Sequence, residues 1–311
     1  MPNIINLITP NNLEEERLKF AASRSYNPIF RYAWQGQRGY PIFEDPIKQK
    51  FWLAIQSQDP KRIVANASKL FDVTISDDLT NKATVIARVA GPVHTGSAEE
   101  YKVLLDQALN TFGLSHFMVI IVEESGFNAR PQPSKQRILV SHEIHYEFFS
   151  LAGGVRHELV HILRHVNGVY NRIKKSQTYL PTEEGLASWC QDNTSIEDRS
   201  HQQHAIEYIA SSIGLNGSLR DIYNSMLDFG MSKELAWKRA SRHKFGFVDT
   251  GKSGDILKPA MYFANEEKID KLTTEEKLRL FVGKISLDEL KDHPQYVGKW
   301  GEETLTGYFN L

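Results

Sequence analysis

Apolar positions recur at helical spacing through most of the chain. Residues 11 to 25 and 46 to 58 show it, and "SYNPIFRYAW" (25 to 34), with its Pro and its aromatics, predicts an extended segment between them. Two further helical pieces, "RIVANASKLF" and "LTNKATVIARV", fall within 61 to 89 before "GPVHTG" breaks the chain. Ser97 and Glu100 form a capping-box pattern that opens a helix to about Leu109. The texture then changes. "HFMVIIVEE" (116 to 124) is a short run rich in β-branched residues, and "QRILVSHEIHYE" (136 to 147) alternates in part, which predicts two strands joined by a loop.

From about Glu147 the period is helical again. Phe148, Leu151, Val155, Leu159, Ile162 and Val166 share one face, and Asn167-Gly168 predicts the stop. "TEEGLASWCQ" (182 to 191) predicts the next helix, with Thr182 at its N-cap. Residues 199 to 244 predict three more helices, the last starting at Ser232. A Gly-rich loop, the short segment "AMYFAN" and closing helices from Thr273 to about Leu290 follow. The chain shows no internal repeat and no low-complexity segment. Helices, a small sheet and helices again make an α+β chain with a mostly helical C-terminal half.

At 311 residues the chain can bury a large core, as one big domain or two small ones. Its 41% hydrophobic and 24% charged content is that of an ordinary globular protein. A formal net charge of −1 argues against a strongly basic nucleic-acid binder, and the basic stretch Lys238 to Lys244 reads as a solvated helix end. One cysteine, Cys190, allows no intrachain disulfide; it reads as a small apolar core residue in a reducing compartment. The N-terminus has no basic start followed by a long apolar run, and no apolar run approaches the ~20 residues that span a bilayer. The expectation is a cytoplasmic protein without a membrane partner.

Two short patterns imply different chemistry. "GFVDTGKS" (246 to 253) has the written form of a phosphate-binding loop, and "HELVH" (157 to 161) that of a zinc hydrolase. From the residue frequencies, the first arises by accident in about one such sequence in a hundred and the second in about three, so context must decide. A phosphate loop follows a buried strand and opens a helix. Here the charged, helical "AWKRASRHKF" precedes it, and Gly254, Asp255 and then Pro259 follow. The segment reads as a Gly-rich turn, and no nucleotide is expected.

The zinc pattern fits its surroundings. His157 and His161 are four apart in a strongly helical stretch, so both imidazoles stand on one face about one turn (~5–6 Å) apart. Two nitrogens there can meet one Zn2+ ion at ~2.0–2.1 Å, with Glu158 beside them as general base. A core helix with incidental histidines is the plain alternative. For a third ligand, His165 lies ~12 Å along the axis from His157 and is too distant. A longer motif with Gly at 164 and His at 167 is excluded by Arg164 and Asn167. An acidic residue on the next helix remains, and "TEEGLA" offers Glu183 and Glu184. Two histidines and one carboxylate leave a position open for water.

These segments resemble the metallopeptidases that include the microtubule-associated tyrosine carboxypeptidases, whose bacterial members carry a QEGLA motif. "TEEGLASW" (182 to 189) is similar to that motif, with Glu184 at its Glu, and "HELVHILRHVNG" (157 to 168) to the metal helix. "YNPIFRY" (26 to 32), "HKFGFVDT" with Arg242 before it, "LKPAMYF" (257 to 263) and "LFVGKISLDEL" (280 to 290) look like further landmarks. Two residues separate Glu158 from His161 where the family usually has three, and Lys258-Pro259 and Ala264-Asn265 also depart from its pattern.

The resemblance implies a zincin-like catalytic domain over 61–311, with 1–60 packed on it, or one continuous domain 1–311. His157, His161 and Glu184 would hold zinc, and Glu158 would move the proton. Tyr262, or failing it Arg242, would stabilise the oxyanion. A cation would pair with the C-terminal carboxylate of a peptide or protein substrate, Arg164 or alternatively Lys258. A salt bridge from Arg164 to Glu183 is the equally weighted structural alternative. The expected activity is removal of a C-terminal, in the family aromatic, residue. An aminopeptidase or endopeptidase of the gluzincin type, or a regulatory module that keeps zinc without turnover, are the rivals.

Overall fold

The computed structural model describes residues 4–37, 39–89, 96–124, 127–144, 148–193 and 200–311. The predicted chain break at 91–96 lies, except for Gly96, outside them. The helices of the first stretch are α1 (Ile4–Ile8), α2 (Leu13–Ala22), α3 (Pro46–Ser57), α4 (Pro60–Phe71) and α5 (Asp77–Ala87). Then come α6 (Ala98–Thr111), three strands β1 (Met118–Val122), β2 (Ala129–Gln132) and β3 (Arg137–Ser141), and α7 (Leu151–Tyr170) and α8 (Tyr179–Asp192). The chain closes through α9 (Ser200–Gly214), α10 (Leu219–Asp228), α11 (Lys233–His243), α12 (Met261–Asp270), α13 (Thr274–Arg279) and α14 (Glu302–Phe309). The architecture is mixed α+β and mostly helical, as the patterning predicts. Among the described residues no helix is long and apolar enough to cross a membrane.

The chain forms two compact units, Met1–Arg88 with His204–Ala264, and Val89–Gln203 with Asn265–Leu311. The first is discontinuous because the extended segment at 25–34 is stitched to residues 246–250. Phe30 N donates to Val248 O at 2.8 Å, Tyr32 Oη to Phe247 O at 2.9 Å, and Thr250 Oγ1 to Pro28 O at 2.8 Å. The Gly-rich segment is thus a turn, with α11 before it and no helix before α12.

In the second unit Ser97 and Glu100 cap α6 reciprocally, Ser97 N to Glu100 Oε2 at 2.7 Å and Glu100 N to Ser97 Oγ at 3.0 Å. The sheet runs in the order β1-β3-β2, with β1 parallel and β2 antiparallel to β3. Patterning predicts two of these strands and passes over β2, because Pro131 breaks its signal. The strand tolerates that proline because it lies at the sheet edge, where one missing ladder donor costs little. α7 packs on α8, α6 and β2, and buries Val155, Leu159, Ile162 and Leu163 in one core with Leu186 and Cys190 of α8.

Three local expectations are corrected. Asn167-Gly168 does not end α7, which continues to Tyr170. Asn167 instead binds Phe281 O through Nδ2 at 2.8 Å and Lys299 N through Oδ1 at 2.8 Å. A Cβ on Gly168 would lie 3.5 Å from Gly283 Cα, an ordinary contact, so α7 runs past this glycine without needing it. Thr182 is not an N-cap: α8 starts three residues earlier, with Pro181 accommodated in its first turn, and Thr182 Oγ1 accepts from Leu287 N at 3.0 Å. "AMYFAN" lies largely within α12, and α14 extends the closing helices beyond Leu290.

Candidate metal centre

His157 and His161 lie one turn apart near the middle of α7, with ring centroids 5.1 Å apart. α8 carries Glu184 to them: its Oε2 is 3.5 Å from His157 Nε2 and 3.8 Å from His161 Nε2. One ligand atom from each of the three residues lies within 4.8 Å of the other two. Donors bound at ~2.0–2.2 Å around a tetrahedral ion stand about 3.4 Å apart, so these separations need a shift of only a few tenths of an ångström. The donor set, two imidazole nitrogens and one carboxylate oxygen, suits zinc.

Glu158 is 8% exposed, and its Oε2 has no hydrogen-bond partner among the described residues. Burial pushes its carboxyl up, against the opposing pull of His157 and His161. Buried polar atoms are nearly always satisfied, so an oxygen left over beside a ligand cluster is where a water or substrate group belongs.

Glu183 takes a different place from Glu184. Its Oε1 meets His161 Nδ1 at 2.8 Å and accepts from Lys284 Nζ at 2.6 Å, while Oε2 is 3.6 Å from Arg164 Nη1. Burial opposes ionisation of Glu183, but the His161 bond, then Lys284, His161's charge and Arg164, outweigh it and hold the carboxyl at about 2. With Nδ1–H donated to Glu183, His161 presents Nε2 toward Glu184. Such carboxylate–histidine pairs orient metal ligands and raise their basicity. Burial works against a charge on His161, yet Glu184 and then Glu183 push its pKa up, and a field that favours a proton there also favours a metal cation. Lys284, 101 residues from Glu183, left no trace in the local spacing.

Arg164 is turned into the interior. It is fully buried, its Nε donating to Leu280 O at 2.8 Å and Gly283 O at 3.0 Å and its Nη2 to Ile285 O at 2.7 Å. Nε and Nη2 are held by the 280–285 turn, and Nη1 faces Glu183 at ion-pair distance without a hydrogen bond among the described residues. The weighed alternative, an ion pair with Glu183, is the one observed.

Tyr262, Lys258 and Arg242 belong to the first unit. Lys258 Nζ donates to Tyr262 Oη at 3.3 Å, and the Tyr262 ring stacks on His204 at 5.4 Å between centroids. Arg242, half-buried in the last turn of α11, helps Arg239 keep the buried Glu207 ionised against its desolvation.

Gly185, beside Glu184, marks where α8 and α12 approach. A Cβ there would sit 2.8 Å from the carbonyl carbon and oxygen of Asn265, a backbone contact that cannot swing aside. Gly185→Ala is expected to destabilise the fold by about 1–3 kcal/mol and to displace Glu184 with it, read as a lower urea midpoint and weaker zinc retention. Wild-type stability in that variant would show that the helices part without cost.

A scan of the chain against known protein families finds no match, and a search of curated proteins finds none either.

Proposed function

We propose that this protein is a zinc-dependent peptidase of zincin-like type, acting on the C-terminus of a peptide or protein. One observation carries the reading: three donor atoms of His157, His161 and Glu184 lie within 4.8 Å of one another, next to a buried Glu158 oxygen with no hydrogen-bond partner among the described residues. The edge strand β2, packed on α7, adds support, since no further strand pairs with it among the described residues and extended peptides bind such edges. Zinc, when bound, would polarise the scissile carbonyl and acidify the attacking water.

The chain's own residues would do the rest. Glu183 holds the Nδ1–H of His161, so that Nε2 is the nitrogen left for the metal. Glu158 takes the proton of the attacking water and passes it to the leaving amine. Tyr262, with Arg242 second, enters as donor to the oxyanion through the family resemblance, as does the preference for C-terminal cleavage. Lys258, like Tyr262 and Arg242 a residue of the first unit, enters through the resemblance alone as the alternative to Arg164 for pairing with a substrate carboxylate.

The test is a peptide panel with free, N-blocked and C-amidated ends, followed by mass spectrometry. Loss of one residue from free C-termini only, stopped by a chelator and restored by Zn2+, is the expected result. Cleavage from free N-termini or within amidated peptides reassigns the activity, and a zinc-loaded protein inert toward every peptide favours the regulatory module.

A further inference from the structure

Three side chains outside the centre described above meet in a similar way. Asp192 ends α8, His201 stands in the first turn of α9, and Glu266 lies on α12, all within the second unit. His201 Nδ1 is 3.3 Å from Asp192 Oδ2 and 3.0 Å from Glu266 Oε1, and one ligand atom of each residue lies within 4.8 Å of the other two. The carboxylate side chains are only 5% and 6% exposed, and the imidazole 31%, which leaves one side of the group within reach of solvent.

The spacing is that of donors around a metal. Bonds of ~2.0–2.2 Å place neighbouring donors about 3.0 Å apart in an octahedron and about 3.4 Å apart in a tetrahedron. The two measured separations fall in that interval, closer to it than the 3.5 and 3.8 Å of the His157–His161–Glu184 group. Asp192 is eight residues past Glu184 on the same helix, ~12 Å along its axis, so one ion cannot serve both groups. The positions 192, 201 and 266 form no spacing motif; the site exists only because three helix segments bring them together.

We propose that Asp192, His201 and Glu266 form a second, separate site for a divalent metal ion. One imidazole nitrogen with two carboxylate oxygens suits Zn2+ or Mn2+ better than an all-oxygen ion such as Ca2+. Bound there, the ion links the end of α8 and the start of α9 to α12 beside Asn265, the residue on which Gly185 rests. The site is structural, and it stands independently of the peptidase reading. The competing occupant is a proton: an imidazolium between two carboxylates accounts for the same distances without a metal.

Zinc and manganese content after loading and dialysis, measured by elemental analysis, decides between them. The wild type should hold two equivalents of Zn2+, and His201→Ala or Glu266→Gln one. His157→Ala/His161→Ala should also hold one, which disappears when His201→Ala is added. Circular dichroism identifies folded variants, and two single substitutions at the site keep the test usable if one fails to fold. In the His157→Ala/His161→Ala background, Zn2+ should raise Tm, and it should lose that effect with Glu266→Gln. If folded His157→Ala/His161→Ala protein holds neither Zn2+ nor Mn2+, or holds as much after His201→Ala and Glu266→Gln, the cluster is an ion pair and the proposal fails. Failure of the first centre gives a different pattern, one wild-type equivalent that depends on His201 and not on His157.

Discussion

Glu158→Gln is expected to lower kcat/KM for peptide cleavage about 10²–10⁴-fold, the range a positioned general base contributes, with metal content unchanged from the wild type. The amide keeps the shape and hydrogen-bonding reach of the carboxyl but cannot accept the proton of the attacking water. Because Glu158 stands outside the proposed ligand set, His157, His161 and Glu184 should keep their hold on a metal. Parallel kinetics and elemental analysis check both halves. Activity within tenfold of wild type would remove Glu158 from the chemistry, and loss of metal would make it a ligand.

Arg164→Leu is expected to destabilise the protein by about 3–5 kcal/mol, the cost of breaking a buried pair from one side. Leucine leaves three carbonyls, Leu280, Gly283 and Ile285, without their donor, and leaves Glu183 buried with less compensating charge. Arg164→Lys should recover only part, because one ammonium cannot reproduce the forked guanidinium. Urea denaturation measures both. A substrate-binding arginine would behave in the opposite way, with stability within about 0.5 kcal/mol of wild type and a raised KM, and that outcome would return Arg164 to the substrate.

What could be read in advance was whatever depends on neighbours along the chain. Helical period and the Ser97–Glu100 box are local, as is the i, i+4 placement of His157 and His161, since one helical turn sets their separation wherever the helix lies. The same locality misled where a residue serves distant partners. Asn167-Gly168 has the letters of a helix stop, yet Phe281 O and Lys299 N take up the Asn167 amide and α7 continues to Tyr170. Pro131 has the letters of a loop, yet an edge position makes it a strand residue. Glu183 and Glu184 are adjacent and chemically identical in sequence. The docking of α8 on α7 turns one toward both Nε2 atoms and the other toward Nδ1 of His161, Lys284 and Arg164, a choice of rotation that no window of sequence contains. Arg164 became a structural residue because the 280–285 turn folds over it, and Asp192, His201 and Glu266 met because three helix segments converge. Local spacing sets which side chains share a face; packing between remote segments sets what that face meets.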